Sequence, residues 1–264
     1  MSSCFVTKFK HGCEVWDAFN NTTREIINKL IPETMKRVME LPGSTPTLAI
    51  QHDMGLIDLD IEVNMERILI VWSIEELEEV RIVRILFENM YRNKVPGFCT
   101  AVSEARKMFK LEGKENVNDK KREYLKRKMI EIQKERIIQG MLASSKCDGM
   151  LMNFSFDGKM KRYLTDLPFR EARIIFMYRA KMFPTKANFK GRWSMSVLCP
   201  YCCNIESDEH LFGCCGYVDL IQGKINHLSL MKLEGDKQTL SLYAKILIQV
   251  HDRLLIGKED NELN

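Results

Sequence analysis

Apolar residues recur at helical spacing along most of the chain, and this pattern predicts a mostly α-helical protein. The clearest helix is predicted at 236–256, where Asp236 caps the start and Gly257 ends it. We expect Pro32 to interrupt an N-terminal helix and to begin a second one. The other predicted helices span residues 22–31, 32–39, 46–54, 75–89, 100–111, 119–141 and 166–182.

One stretch departs from this spacing. From Ile57 to Val63, apolar residues alternate with the carboxylates Asp58, Asp60 and Glu62. A period of two is typical of a half-buried strand. We therefore interpret these carboxylates as the solvated side of a strand rather than as a metal site.

The polar segment 112–118 has no apolar periodicity and is the best candidate for a linker. It is followed by the long charged helix, with apolar residues along its length. We therefore expect three regions, at 1–111, 112–158 (linker and charged helix) and 159–264. The predicted fold class is mostly α, with two helical subdomains.

Composition supports a globular chain, since 45% of its 264 residues are hydrophobic and 29% are charged. No apolar run reaches the roughly 18 residues that a membrane span needs, and residues 1–16 lack the apolar core of a secretory signal. Nine cysteines, an odd number, fit a reducing compartment better than a disulfide framework. We expect an intracellular protein, nuclear or cytoplasmic, with no membrane partner.

The net charge of +4 is unevenly distributed. Residues 56–92 contain nine acidic residues and four arginines, whereas residues 159–192 contain ten basic residues and two acidic ones. An exposed basic surface attracts nucleic-acid phosphates by releasing their counterions. The second segment is therefore a candidate nucleic-acid interface.

Cysteine and histidine spacing in the C-terminal region predicts a metal site. Cys199, Cys202, His210 and Cys214 form the pattern C-x2-C-x7-H-x3-C, whose three thiolates and one imidazole suit a closed tetrahedral zinc site. A closed shell leaves no position for an activated water, so we expect one structural Zn²⁺, held in a small knuckle of the C-terminal subdomain. We prefer Cys214 because it follows His210 by one helical turn. Two other cysteines remain alternatives as ligands, Cys203 and Cys215.

Basic and aromatic residues are interleaved just before this knuckle. Cations can contact phosphates and aromatic rings can stack on unpaired bases, although the rings could equally be core and the cations a solvated surface. The charged helix 119–141 is a weaker candidate because glutamates balance many of its cations. The predicted nucleic-acid-binding residues are Arg170, Arg173, Arg179, Lys181, Lys186, Lys190, Arg192 and Trp193.

The chain contains none of the common catalytic motifs, such as GxxxxGK[ST], GxGxxG, HExxH or GxSxG. Two-metal polymerase or nuclease chemistry needs clustered carboxylates, and only the alternating stretch at 58–62 comes near that. We therefore expect no catalytic centre in this chain.

Residues 163–217 resemble the C-terminal zinc-binding region of LINE-type (non-LTR) retrotransposon reverse transcriptases. The matching strings are ARIIFMYRAKM, KANFK, LCPYC and EHLFGCCGY. Residues 11–19 and 30–55 are similar to the segment after the polymerase thumb of those proteins. The resemblance implies that Cys199, Cys202, His210 and Cys214 are the CCHC ligands; the family often has proline where Cys215 stands.

The endonuclease and the polymerase palm of that family have no counterpart in this sequence. The resemblance therefore implies a detached, non-enzymatic C-terminal fragment that binds RNA or DNA, as single-stranded template or target, with region 1–111 resembling the post-thumb segment. The alternative is a helical structural or interaction remnant without retained binding.

Overall fold

Helices form most of the chain in this computed structural model, which describes residues 21–95, 97–111, 120–144, 147–151, 154–188, 196–199, 202–213, 232 and 235–262. No strand occurs in these ranges, so the predicted mostly α class is confirmed. The helices are α1 (Asn21–Val38), α2 (Thr47–Met54), α3 (Leu59–Glu75), α4 (Ile82–Arg92), α5 (Phe98–Met108), α6 (Lys121–Leu142), α7 (Asp148–Leu151), α8 (Arg162–Asp166), α9 (Phe169–Arg179), α10 (Asp208–Gly213) and α11 (Lys237–Glu262).

Contacts between residues divide the chain into two compact units. The first unit comprises Met1–Thr34 and Ile57–Ile137, and the second comprises Met35–Leu56 and Ile138–Asn264. This division is discontinuous, whereas the sequence suggested three consecutive regions. Residues 35–56 join the second unit because Asp53, on α2, forms buried hydrogen bonds with residues of α8 and α9. The predicted linker 112–118 lies outside the described residues.

The core of the first unit is built from one face of α3 against α5 and α6. Ile61, Met65, Ile68 and Trp72 recur at intervals of three and four residues, so they share that face. They pack against four further buried side chains, which are Ala105, Phe109, Leu125 and Met129. The residues that the long charged helix α6 contributes to this core, Leu125 and Met129, are thus among the apolar residues spaced along it in the sequence.

The strand predicted at 57–63 is wrong, because α3 begins at Leu59. Burial explains the misleading pattern. The first turns of α3 are covered on several sides, and Asp60 and Asn64 are buried beside Ile61 and Val63. Apolar and polar residues therefore alternate inside one buried helix.

Two of the three carboxylates of that stretch, Asp58 and Asp60, form ion pairs with an arginine of α6. Arg136 Nη1 lies 3.0 Å from Asp58 Oδ2 and 2.9 Å from Asp60 Oδ1, and Arg136 Nη2 donates to Asp60 Oδ2 at 3.0 Å. Burial raises the pKa of Asp58, against the lowering effect of Arg136. The group is an ion-pair cluster that joins two helices within the first unit.

Several predicted helix boundaries are also wrong. The helix expected at 166–182 is interrupted by the extended residue Leu167, so that α8 ends at Asp166 and α9 spans Phe169–Arg179. Pro32 lies inside the continuous helix α1, where a proline removes one backbone hydrogen bond without ending the helix. The helix expected at 75–89 begins only at Ile82, and Arg84 Nη1 donates to the carbonyl of Leu77 at 2.6 Å in the preceding turn. Helix α11 continues past Gly257 to Glu262, at the modest cost that glycine carries in a helix.

In the second unit, α9 packs against α11, and α8 contacts both. Residues 174–180 of the α9 region are all buried, so the C-terminal half of this helix is surrounded by protein, whereas Phe169 and Arg170 at its start are exposed. Asp236 caps α11 as predicted, since its Oδ1 accepts a hydrogen bond from Thr239 N at 2.8 Å.

Gly55 ends α2 in the left-handed conformation, with φ 63°. A Cβ at this position would overlap the backbone of Lys159. Glycine is therefore required here both for its conformation and for space, as its place after the predicted helix suggested. No helix among the described residues is both long and apolar enough to cross a membrane.

Candidate metal centre and the basic segment before it

A tight turn carries the first two predicted ligands. Leu198 and Ile205 form an antiparallel bridge. Within it, Cys199 N donates to Asn204 O at 2.6 Å and Cys203 N donates to Cys199 O at 3.0 Å. Cys203 takes a left-handed conformation with φ 60°, which reverses the chain just after Cys202. These backbone bonds fix the turn that holds Cys199 and Cys202 close together.

The third ligand lies in the short helix α10. The hydroxyl oxygen of Ser207 accepts a hydrogen bond from His210 N at 3.1 Å, which is the bond that a serine makes at a helix N-cap. This cap positions His210 in the first turn of α10, facing the cysteine turn. Cys202 Sγ lies 3.1 Å from His210 Nε2.

The ligand atoms of Cys199, Cys202 and His210 all lie within 4.8 Å of one another, so the group could hold a metal ion. Zinc–sulfur bonds of about 2.3 Å place tetrahedral ligand atoms about 3.8 Å apart. That spacing lies within the 4.8 Å that encloses the cluster, and Cys202 Sγ and His210 Nε2, now 3.1 Å apart, would separate slightly around an ion. Among the described residues no other group of three or more histidine, cysteine or carboxylate side chains meets the same condition. The carboxylates at 58–62 are therefore not a second candidate.

The fourth predicted ligand, Cys214, lies outside the described residues, as does its alternative Cys215. The other alternative, Cys203, is described and exposed but does not belong to the group. Cys199 is buried and Cys202 is exposed, so one side of the cluster faces the protein and the other faces solvent.

Glu206 connects the turn at 198–205 to the segment before the knuckle, and the sequence analysis did not identify it. Its carboxylate is buried and accepts a hydrogen bond from Lys186 N at 3.0 Å, and its backbone carbonyl accepts one from Ala187 N at 3.1 Å. Lys186 Nζ donates to Leu198 O at 2.8 Å. Lys186 and Ala187 are thus hydrogen-bonded to both ends of the turn, at Leu198 and at Glu206. A single glutamate in a loop carries no periodicity or motif that could have revealed this.

Asp208 makes a similar link at the start of α10. Asn188 Nδ2 lies 3.1 Å from both carboxylate oxygens and also donates to Phe183 O at 3.0 Å. Burial raises the pKa of Asp208 to about 7, while the Asn188 amide opposes that rise. The loop at 183–188 and helix α10 are therefore held together by buried polar contacts.

The structure divides the predicted nucleic-acid residues into four groups, of which Arg179 is described separately below. Arg170, Arg173 and Lys181 have side chains that are exposed or half-buried, with Arg170 Nη2 2.8 Å from Asp252 Oδ2 and Arg173 Nη2 2.8 Å from Glu40 O. Lys186 is bonded to the turn at 198–205, as described above. Three predicted residues lie outside the described ranges, namely Lys190, Arg192 and Trp193.

The prediction that Arg179 is a surface cation is wrong, because this residue lies inside the protein. Its side chain is 4% exposed, and its Nε and Nη2 atoms lie 2.9 and 3.0 Å from the two carboxylate oxygens of Asp53. Tyr163 OH donates to Asp53 Oδ2 at 2.7 Å, and His52 Nδ1 lies 2.7 Å from Asp53 Oδ1. We call these four residues the Asp53 cluster. A backbone phosphate cannot reach the Arg179 guanidinium in this arrangement.

The Asp53 cluster is strongly ionic. Burial alone would raise the pKa of Asp53, but the Arg179 charge and the hydrogen bonds from His52 and Arg179 hold it well below its usual range. Burial, together with the Asp53 charge, raises the pKa of the Tyr163 hydroxyl. A carboxylate and a guanidinium therefore face each other as a charged pair within the second unit.

Most of the described aromatic residues before the knuckle are core. Phe176, Tyr178 and Phe183 are fully buried, and the rings of Tyr178 and Phe183 pack edge to face with centroids 5.8 Å apart. They cannot stack on bases, so that expectation is wrong for these three. Phe169 is 48% exposed.

The chain matches no protein-family model, no curated protein and no solved structure.

Proposed function

We propose that this chain is a zinc-stabilised nucleic-acid-binding module, similar to the C-terminal part of a LINE-type reverse transcriptase and without a catalytic centre of its own. The observation that carries the proposal is the convergence of Cys199, Cys202 and His210 on one point. The sequence resemblance at 163–217 supports the family assignment.

Zinc suits this ligand set better than other common metals. Thiolate and imidazole ligands in a small tetrahedral site favour Zn²⁺, whereas Mg²⁺ and Ca²⁺ prefer oxygen ligands. With Cys214 as the fourth ligand the shell is closed, so the ion has a structural role and holds the turn at 198–205 against α10. Such a site contributes folding energy to a loop with little core of its own.

Cations on the surface of the second unit support binding to phosphates. Lys159, Arg162 and Arg170 are exposed, and Arg173 and Lys181 border the same segment. The Arg170–Asp252 ion pair is exposed and therefore weak, so a phosphate can replace the carboxylate. Because the neighbouring rings are core, binding would depend on phosphate contacts more than on base stacking. We therefore expect little sequence preference and a strong dependence on salt.

The test is the affinity for a fluorescein-labelled single-stranded RNA, measured by anisotropy at increasing KCl. We expect log K to fall linearly with log[KCl], and zinc-depleted protein to bind more weakly than zinc-loaded protein. A matched DNA strand measures the RNA or DNA preference in the same assay. Affinity that does not change with salt, or no binding at the lowest salt, would contradict the proposal.

The alternative is a helical interaction protein that binds no nucleic acid. It is favoured by α4 and the turn before it, where Val80, Ile82, Val83 and Leu86 are each more than half exposed. Under this alternative the zinc site is retained, but the RNA assay shows no binding above that of a neutral control protein.

A further inference from the structure

A cavity of about 590 Å³ lies within the second unit, beside the Asp53 cluster. Its walls come from α2, α8, α9 and the start of α11, including His52, Lys161, Arg162, Arg179 and Lys237. This volume falls in the range of about 300–1,000 Å³ that small-molecule sites occupy. Among the described residues, none of the predicted metal ligands lines the cavity, and of those predicted for the nucleic-acid interface only Arg179 does.

The walls are positively charged. Four cationic side chains and two carboxylates line the cavity, together with Arg179, whose charge is balanced by Asp53. The carboxylates are already engaged locally, since Asp166 accepts from Thr165 Oγ1 at 2.8 Å and Asp236 accepts from Thr239 N at 2.8 Å. By contrast, the exposed side chains of Arg162 and Lys237 make no hydrogen bond or ion pair within the described part of the chain. The cavity is therefore suited to an anion.

Helix α11 adds to this potential. Its first residue, Lys237, and the two residues before it line the cavity, and the helix continues for 26 residues. The N-terminal end of a long helix carries a partial positive charge from its aligned peptide dipoles. This contribution has the same sign as that of the lysine and arginine side chains.

His52 also lines this cavity. Its side chain is 1% exposed, and its ring packs against Phe154 with centroids 4.9 Å apart. Because Asp53 is ionised, His52 Nδ1 must carry the proton that bonds to it, 2.7 Å away. The other ring nitrogen, Nε2, is buried and bonds to no group among the described residues. Buried polar atoms of this kind are rare in folded proteins.

Apolar side chains complete the cavity. Leu167 and Leu240 line it together with the cations, so the site can cover an apolar ring system while it holds an anionic group. An inorganic anion would leave those leucines unused, whereas a nucleotide has both parts.

We propose that this cavity binds a phosphate-bearing small molecule of mononucleotide size. Arg162 and Lys237 hold the phosphate and the leucines cover the base, while Lys161, whose Nζ donates to Ser155 O and Oγ, adds its charge. The site is separate from the metal centre and shares Arg162 with the proposed nucleic-acid surface, and no chemical step is assigned to it.

The test is isothermal titration calorimetry of the full chain with AMP, adenosine and inorganic phosphate in low salt. We expect AMP to bind with one site per chain, and adenosine and phosphate each to bind at least ten-fold more weakly. The variant R162Q/K237Q should weaken AMP binding at least ten-fold. Both positions are exposed, so this variant is expected to fold, which circular dichroism checks.

The control is K126Q/R127Q on helix α6 of the first unit, which removes the same charge from exposed positions. It should bind AMP like the unaltered chain. No AMP binding at millimolar concentration would overturn the proposal, and so would equal weakening in the two variants, which would indicate a general charge effect. Adenosine binding as tight as AMP binding would also overturn it, because the cations would then have no role.

Discussion

Each of the two units contains a carboxylate–guanidinium cluster, and the two clusters differ in burial. In the first unit, Arg136 bridges Asp58 and Asp60 with its side chain 36% exposed. In the second unit, Arg179 meets Asp53 with both side chains at 4% exposure or less. Sequence analysis predicted Arg179 as a nucleic-acid contact and interpreted Asp58 and Asp60 as solvated carboxylates, whereas in the structure both clusters are ion pairs that join elements of their own unit.

The difference shows where function can remain. The first cluster uses all three of its charges to join α3 and α6, and no cysteine or histidine group that could hold a metal accompanies it in the described ranges. The second cluster leaves His52 Nε2 unused beside a cationic cavity. Charged residues that pair with one another inside the protein stabilise the fold. The charged groups around the cavity that have no such partner are the ones that can bind a ligand.

Breaking the buried cluster should have the largest effect on stability. Arg179→Met leaves the Asp53 carboxylate buried without its cation, and loss of one partner of a buried pair costs about 3–5 kcal/mol. Urea unfolding followed by circular dichroism measures this change. As a control, the double variant Arg179→Met with Asp53→Leu should lose less than Arg179→Met alone. A loss below about 1 kcal/mol in the single variant would show that the pair is not a charged, buried contact.

The contribution of Asp53 should not depend on pH near neutrality. The pKa of Asp53 in the folded chain lies below its value in the unfolded chain, which is about 3.9. The stabilisation is therefore fully present above the unfolded value and is lost as pH falls through the folded value. The difference in unfolding free energy between the unaltered chain and Asp53→Asn should be equal at pH 7 and pH 5. A difference that already shrinks between pH 7 and pH 5 would contradict the assigned ionisation.

Gly55→Ala tests the close approach of α2 to the backbone of Lys159. The left-handed φ and the overlap of the new Cβ should together cost about 1–3 kcal/mol in unfolding free energy. Gly43→Ala is the matched control, because a Cβ there meets nothing within 4 Å. Equal stabilities of the two variants would show that the two segments do not touch.

Arg136→Ala should cost less than removal of Arg179, at about 1–2 kcal/mol, because solvent can partly replace the missing cation. The same urea titration measures it. If this cost exceeds that of Arg179→Met, burial is not what separates the two clusters.

Changes at the surface of the second unit should have the smallest effect on stability and act on RNA binding instead. Arg170→Ala with Arg173→Ala should lower affinity and reduce the salt slope by about one for each phosphate that the variant no longer neutralises. Lys126→Ala with Arg127→Ala, on the charged helix, should have a smaller effect. The anisotropy titration decides between them, and a larger drop in affinity for the second pair would move the binding surface to α6.

Local patterns predicted the parts of this molecule that depend on local chemistry. Ligand spacing identified Cys199, Cys202 and His210, and apolar spacing gave the inner face of α6. Tertiary burial was not predictable in the same way. The alternation at 57–63 indicated a strand only because polar residues there are buried with partners, and Arg179 resembled a surface cation because its partner Asp53 is 126 residues away in sequence.

Metal content of the purified chain tests the central claim most directly. We predict one zinc per chain by mass spectrometry of the metal in the unaltered protein and in Cys203→Ser, and loss of zinc in Cys199→Ser and His210→Ala. Cys203 lies in the same turn but outside the ligand group, so it controls for the removal of a thiol. Full zinc in both Cys199→Ser and His210→Ala, or none in the unaltered chain, would contradict the account.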